Sequence, residues 1–152
     1  MKYDANNLNR NDEQFTPLWV FEGLGLQFDL DVCAPIERKD HVPALNRLTV
    51  LDDGLAQPWV GRVWMNPPYS KPSPWVEKFI KHGNGIALLP VTRGKWFDEL
   101  WTTANAIMLT PFNMKFDRPD DSKNCITFRT CFVALGSDNA DALARLNTSR
   151  VR

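Results

Sequence analysis

The chain has 152 residues, 43% of them hydrophobic, with six Trp and no net charge, enough for one domain with a buried core. No apolar run approaches the roughly 18 residues of a membrane-spanning helix, and the N-terminus is polar rather than signal-like. Three cysteines without metal-ligand spacing read as reduced thiols of a cytoplasmic protein, with no disulfide scaffold and no metal site.

In chain order, residues 1–14 are polar, rich in Asn, and expected as a loose arm. Thr16-Pro17 predicts an N-cap with proline at the first helical position. That helix runs through Trp19, Val20 and Phe21 to Gly23 or Gly25. Leu26–Val32 alternates apolar and polar residues, a strand of period two, ending at Cys33-Ala34-Pro35. Residues 35–50 are charged and irregular, and no helix is placed there. Asp52-Asp53-Gly54-Leu55 is a turn leading to Trp59. A short apolar run, 62–65, precedes Asn66-Pro67-Pro68-Tyr69. Ser73-Pro74 caps a helix with Gly83 past its end. Gly85–Pro90 is a continuous apolar strand, 95–103 a helix, and 106–109 another strand. Met114–Phe116 and Cys125–Leu135 are expected to pair across the loop 117–124, placing Cys125 and Cys131 on one buried face. Asp138 caps a last helix, Ala140–Leu146. Strands alternating with helices, then a late hairpin, indicate a single α/β domain over 15–148 with a frayed tail at 149–152.

Asn66-Pro67-Pro68-Tyr69 carries the chemistry. Two prolines fix φ and remove donors, holding the Asn66 amide and the Pro67 carbonyl as acceptors at a fixed separation. Tyr69 adds a flat face beside them. The set suits a planar heterocycle with an exocyclic amine; the plain alternative is a proline turn. Charge is uneven along the chain. Residues 1–61 hold five Lys/Arg against ten Asp/Glu, and residues 62–95 hold six against one. The basic segment is the one bearing the motif, which fits a polyanionic substrate.

The order of these segments, from about Thr16 to Leu135, resembles phage-encoded DNA N6-adenine methyltransferases of the Dam type. These belong to the Rossmann-like methyltransferases that use S-adenosylmethionine. The resemblance implies a three-layer fold with a mostly parallel sheet and a late antiparallel hairpin. It assigns Asn66, Pro67, Pro68 and Tyr69 to catalysis, and Thr16, Pro17, Asp31, Cys33, Ala34, Asp52 and Asp53 to the cofactor. It also implies a bacterial host cytoplasm and a phage or prophage origin. The family's glycine-rich turn is reduced here to Cys33-Ala34-Pro35. No second strand ends in an acid for the ribose, although Glu37 or Asp40 is a substitute. The short spacing from Asp31 to Asn66 implies a trimmed fold.

On this reading Asn66 and Pro67 accept hydrogen bonds from the adenine amine, positioning it rather than deprotonating it. Neither His41 nor His82 is required. Duplex DNA must surrender the base, with Tyr69 replacing its lost stacking partner. Lys71, Lys78, Lys81, Arg93 and Lys95 hold phosphates. Sequence readout falls to the loops 35–50 or 117–124, or to a homodimer. Two other readings stay open. One is methylation of another planar group (protein glutamine, or cytosine N4), and the other is a degenerate relative that only binds nucleic acid.

Overall fold

Gly85–Pro90 has no polar side, and every one of its six residues is buried, as befits a strand covered on both faces. The computed structural model describes residues 14–112, 114–118, 123–124 and 128–148. Among them the elements run α1 (Leu18–Leu24), β1 (Phe28–Asp31), β2 (Ala44–Arg47), β3 (Val63–Met65), α2 (Ser73–His82), β4 (Gly85–Pro90), α3 (Lys95–Thr103), β5 (Ala106–Leu109), β6 (Phe116–Asp117), β7 (Lys123–Asn124), β8 (Thr130–Leu135) and α4 (Ser137–Thr148). The main sheet has the order β2-β1-β3-β4-β8-β5. Its strands are parallel except β8, which is antiparallel to both β4 and β5.

Alternation along the strands divides the core into two faces. Ile86, Leu88, Trp64 and Phe132 join Val20, Phe21 and Leu24 of α1 and Leu143 and Leu146 of α4. Ala87, Leu89, Val63, Met65 and Val133 join Val76 and Phe79 of α2 and Leu100 of α3. The result is three layers, with helix pairs on both sides of the sheet. Phe21 and Phe28 meet the Trp64 ring edge-on at 4.8 and 5.7 Å, contacts worth about 0.5–1.5 kcal/mol each beyond area burial.

Four expectations need correction. The irregular stretch 35–50 contains β2, which pairs in parallel with β1. Its Leu45 and Asn46 are exposed, so this edge strand is held by pairing and carries no hydrophobic period of its own. The late hairpin forms between β6 and β7, not between Met114–Phe116 and Cys125–Leu135. All six residues of β8 are buried, and a strand apolar on both faces belongs inside a sheet. Cys131 is buried there, while Cys125 lies outside the described residues. Pro17, not Thr16, occupies the N-cap of α1, and no side chain caps that helix, which ends at Gly25 with φ 63°. Pro72 rather than Ser73 precedes α2.

The expected arm 1–14 also loses its last residue, because Gln14 is buried; residues 1–13 and the tail 149–152 lie outside the described part.

Candidate active site

β1 passes to β2 on one side, whereas β3 lies on the other side of β1 and leads outward to β4. The strand order therefore reverses between β1 and β3, and the crevice at their carboxyl ends is where open α/β sheets bind ligands. Asp31 ends β1 and Asn66 follows the end of β3. Asp31 stands in register with Trp64, and Val32 N–H donates to the Trp64 carbonyl at 3.1 Å. The two residues singled out in the sequence 35 positions apart are thus brought to adjacent strand ends.

At Asn66 the side-chain Nδ2 donates to the Gln14 carbonyl at 2.9 Å. A carbonyl can only accept, so this bond turns the NH2 end toward Gln14 and leaves Oδ1 as an acceptor. Among the described residues neither Asn66 Oδ1 nor the Pro67 carbonyl has a partner. The turn beyond them is closed by Lys71 N–H donating to the Pro68 carbonyl at 3.3 Å. Tyr69 is half-buried; its hydroxyl donates to the Leu88 carbonyl at 3.3 Å and its ring meets Phe128 edge-on at 5.8 Å. Burial first, then the neighbouring Cys131, holds the phenol well above its ordinary range, so it stays a neutral donor.

Asp31 is 2% exposed, and its Oδ1 accepts from Cys33 N–H at 3.2 Å. Burial, with Asp40 nearby, raises its pKa to about 7. Asp40 itself receives Arg47 Nη2 at 2.9 Å, and Arg47 also donates to the Pro35 carbonyl at 3.0 Å. The loop after β1 is further tied by Ala34 N–H to the Leu48 carbonyl at 2.8 Å. From the other side, Gly54 comes so close that an added Cβ would lie 2.4 Å from the Val32 carbonyl. The missing side chain lets the Gly54 loop pack directly on the end of β1. Thr16 Oγ1 is buried without a partner among the described residues.

The family described as DNA N-6-adenine-methyltransferase (Dam) matches residues 5–137. The chain belongs to that family. A relative in Haemophilus phage HP1 (strain HP1c1), a DNA N-6-adenine-methyltransferase, is 34% identical over 116 residues, covering 68% of this chain and 65% of the phage protein. The match thus spans slightly less than two thirds of that relative's length. No solved structure matches.

In this Dam-family chain the acidic turn divides its labour. Asp52 Oδ2 accepts from Thr49 N–H at 2.8 Å and from Thr49 Oγ1 at 3.1 Å, so it shapes the turn. Asp53 is exposed at a φ of 54° and is the carboxylate of the two that stands clear of that turn. Trp59 Nε1 donates to the Gly54 carbonyl at 2.8 Å and its ring stacks on Trp75 at 6.4 Å.

The five basic residues do not form one surface. Lys71 follows β3, and Arg93 and Lys95 follow β4; all three are exposed at the carboxyl edge of the sheet, the edge that also bears Asn66. Lys78 is committed elsewhere. Its ammonium donates to the carbonyls of Gly54 (3.3 Å), Leu55 (2.8 Å) and Gln57, and lies 4.9 Å from the centre of the Trp59 ring. Lys81 pairs with Glu77 at 3.6 Å near the far end of α2. That end lies at the amino edge of the sheet, since His82 Nε2 reaches the Gly61 carbonyl, just before β3, at 2.7 Å. A helix of ten residues is about 15 Å long, so Lys81 is more than two turns from the site edge. The Gln14 carbonyl went unnoticed in the sequence, and Gly54 was read only as part of a turn, because backbone contacts leave no trace in side-chain patterns.

Proposed function

We propose that this chain transfers a methyl group from S-adenosylmethionine to the N6 amine of adenine in double-stranded DNA, after the base leaves the helix. The observation that carries the reading is the Asn66 amide at the switch point. Its NH2 is engaged by Gln14 and its Oδ1 is left as an acceptor beside the Pro67 carbonyl. Membership of the Dam family and the name of the phage relative support the same substrate.

The residues around β1 fit the donor on two counts. Asp31 is a buried carboxyl whose pKa of about 7 reflects burial that little positive charge offsets, so a cationic group beside it is favoured. The buried Thr16 hydroxyl lacks a partner among the described residues, and a ligand group would satisfy it. Asp31, Thr16, the loop of Cys33 and Ala34, and Asp53 with Gly54 are the residues assigned to hold it. S-adenosylmethionine, when bound, supplies an electrophilic methyl on a sulfonium.

The acceptor is the harder partner, because the lone pair of an adenine amine is delocalised into the ring. Asn66 Oδ1 and the Pro67 carbonyl accept its two N–H bonds and so favour a more tetrahedral nitrogen with an available lone pair. This is preorganised electrostatics on a stiff turn rather than general-base catalysis. Tyr69 faces the flipped base, and Phe128 and the 93% exposed Phe112 stand on the same edge of the domain. Such rings stack unpaired bases without regard to sequence. Lys71, Arg93 and Lys95 neutralise phosphates around the opening.

The test is transfer from methyl-tritiated S-adenosylmethionine to duplex DNA by the purified protein, followed by nucleoside analysis. Label in N6-methyldeoxyadenosine supports the proposal. Label in cytosine N4, or only in protein glutamine when a bacterial lysate is offered, rejects it.

A further inference from the structure

An asparagine amide has two ends of nearly equal shape, and only one orientation presents its oxygen to a substrate amine. At Asn66 that choice is made by one hydrogen bond, from Nδ2 to the Gln14 carbonyl at 2.9 Å. Gln14 belongs to no helix or strand. Its place is set by the next residue, Phe15, whose N–H donates to the Asp117 carbonyl at 2.7 Å and whose carbonyl receives the Asp117 N–H at 3.0 Å. This two-bond bridge joins Phe15 to β6 in antiparallel fashion, and the Phe15 ring is 6% exposed. Asp117 is itself held, by pairing with Lys123 of β7 and by His41 Nε2 at 3.1 Å from its carboxylate. A continuous path therefore runs from β6 through Phe15 and the Gln14 carbonyl to the Asn66 side chain.

We propose that residues 14–15 are a positioning strap: Phe15, anchored on β6, holds the Gln14 carbonyl where it selects the productive orientation of the Asn66 amide. The proposal rests on the reading of Asn66 as the acceptor that meets the adenine amine. It adds a positioning residue that touches neither substrate nor donor. The strap is anchored on β6 rather than on β3, so a shift of β6 alters the orientation of the Asn66 amide while leaving Asp31 and the loop at Gly54 in place. Misplacing a catalytic group by about 1 Å is enough to cost on the order of 10²-fold in rate. If Phe15 only tethered the start of the domain, its loss would lower thermal stability and nothing specific to Asn66.

A double-mutant cycle separates these roles. Phe15→Ala, Asn66→Ala and the double variant are compared in the full chain for kcat and KM on duplex DNA, donor affinity and thermal midpoint. Phe15→Ala is expected to lower kcat, read at saturating donor because Thr16 adjoins Phe15, by about tenfold or more, leaving the KM for DNA within about twofold. In the Asn66→Ala background the same change should cost less than about twofold, because groups acting as a unit are not additive. Phe15→Leu, which keeps a buried apolar anchor, should restore most of the rate, and Phe15→Val, a smaller truncation, carries the cycle if Phe15→Ala does not fold. The Asn66 side-chain NH2 signal in a ¹⁵N–¹H spectrum, identified by its absence in Asn66→Ala, should move in the Phe15 variants. Equal rate losses in both backgrounds, an unchanged kcat or an unmoved NH2 signal overturns the strap. Should Asn66→Ala itself keep wild-type turnover, the catalytic reading fails and the strap falls with it. Additive losses alongside a strongly slowed but measurable Asn66→Ala remove only the strap.

Discussion

On the proposed reading, Asp31 would tie donor binding to pH. Its folded pKa of about 7 lies above the ordinary 3.8, so the folded protein holds this proton more tightly than the unfolded chain does. Stability from this group is full below about pH 4 and is lost as pH rises to about 7. Asp31→Asn should therefore raise the thermal midpoint at about pH 8 and change it little near pH 4. Donor binding has the opposite sense, because a cationic ligand favours the carboxylate. Affinity for S-adenosylmethionine should rise between about pH 6 and pH 8 in the wild type, and in Asp31→Asn it should be weak and flat across that range. Calorimetry at several pH values reads both. At Tyr69, Tyr69→Ala should lose retention of the flipped base, measured as 2-aminopurine fluorescence at the target position. Tyr69→Phe keeps the ring but forfeits the bond to the Leu88 carbonyl, worth about 0.5–1.5 kcal/mol, so part of the activity should remain. Asn66 was legible in the sequence because it closes an apolar run, and Asp31 because the family resemblance falls on the end of an alternating strand. Gln14 was not, since its contribution is a main-chain carbonyl brought from 52 residues away.

The loop from Asp52 to Trp59 shows what an element contributes. Lys78 pins it through three carbonyls, and Gly54 presses it against the end of β1. Burial lowers the Lys78 pKa, and the nearby Asp53 pulls it partly back up. Lys78→Met should loosen this loop and weaken donor affinity several-fold, while leaving the salt dependence of DNA binding unchanged. A residue bound to phosphate would show the reverse pattern, which a donor titration and a salt titration tell apart. In the sequence Lys78 looked like one more lysine of a basic run; only packing shows which lysines have spent their charge. The same limit applies to strands. β4 announced itself by six consecutive residues with no polar side, and its place in the sheet followed. β2 did not, because an edge strand with exposed Leu45 and Asn46 is specified by its neighbour. β8 was read as a strand but given the wrong partners, since pairing across the sheet is decided by burial on both faces, not by proximity in the chain.

At the scale of the molecule, parallel strands gather Asp31, Asn66, Lys71, Arg93 and Lys95 at one edge, although the chain carries no net charge. Neutralising Lys71, Arg93 and Lys95 together should reduce the slope of log affinity for DNA against log salt by about three, near one per phosphate contact. Lys81→Gln, at the opposite end of α2, should leave the slope unaltered. Filter binding over a range of salt concentrations measures both. Among the described residues no helix is long and apolar enough to cross a membrane. The most direct test of the whole account is expression of the chain in a bacterium lacking adenine methylation, with sequencing of its genome by a method that reports modified bases. The account predicts N6-methyladenine at a defined sequence with the wild-type chain, and its loss with Asn66→Ala. A genome free of N6-methyladenine despite folded, donor-binding protein, or methylation that persists with Asn66→Ala, would contradict it.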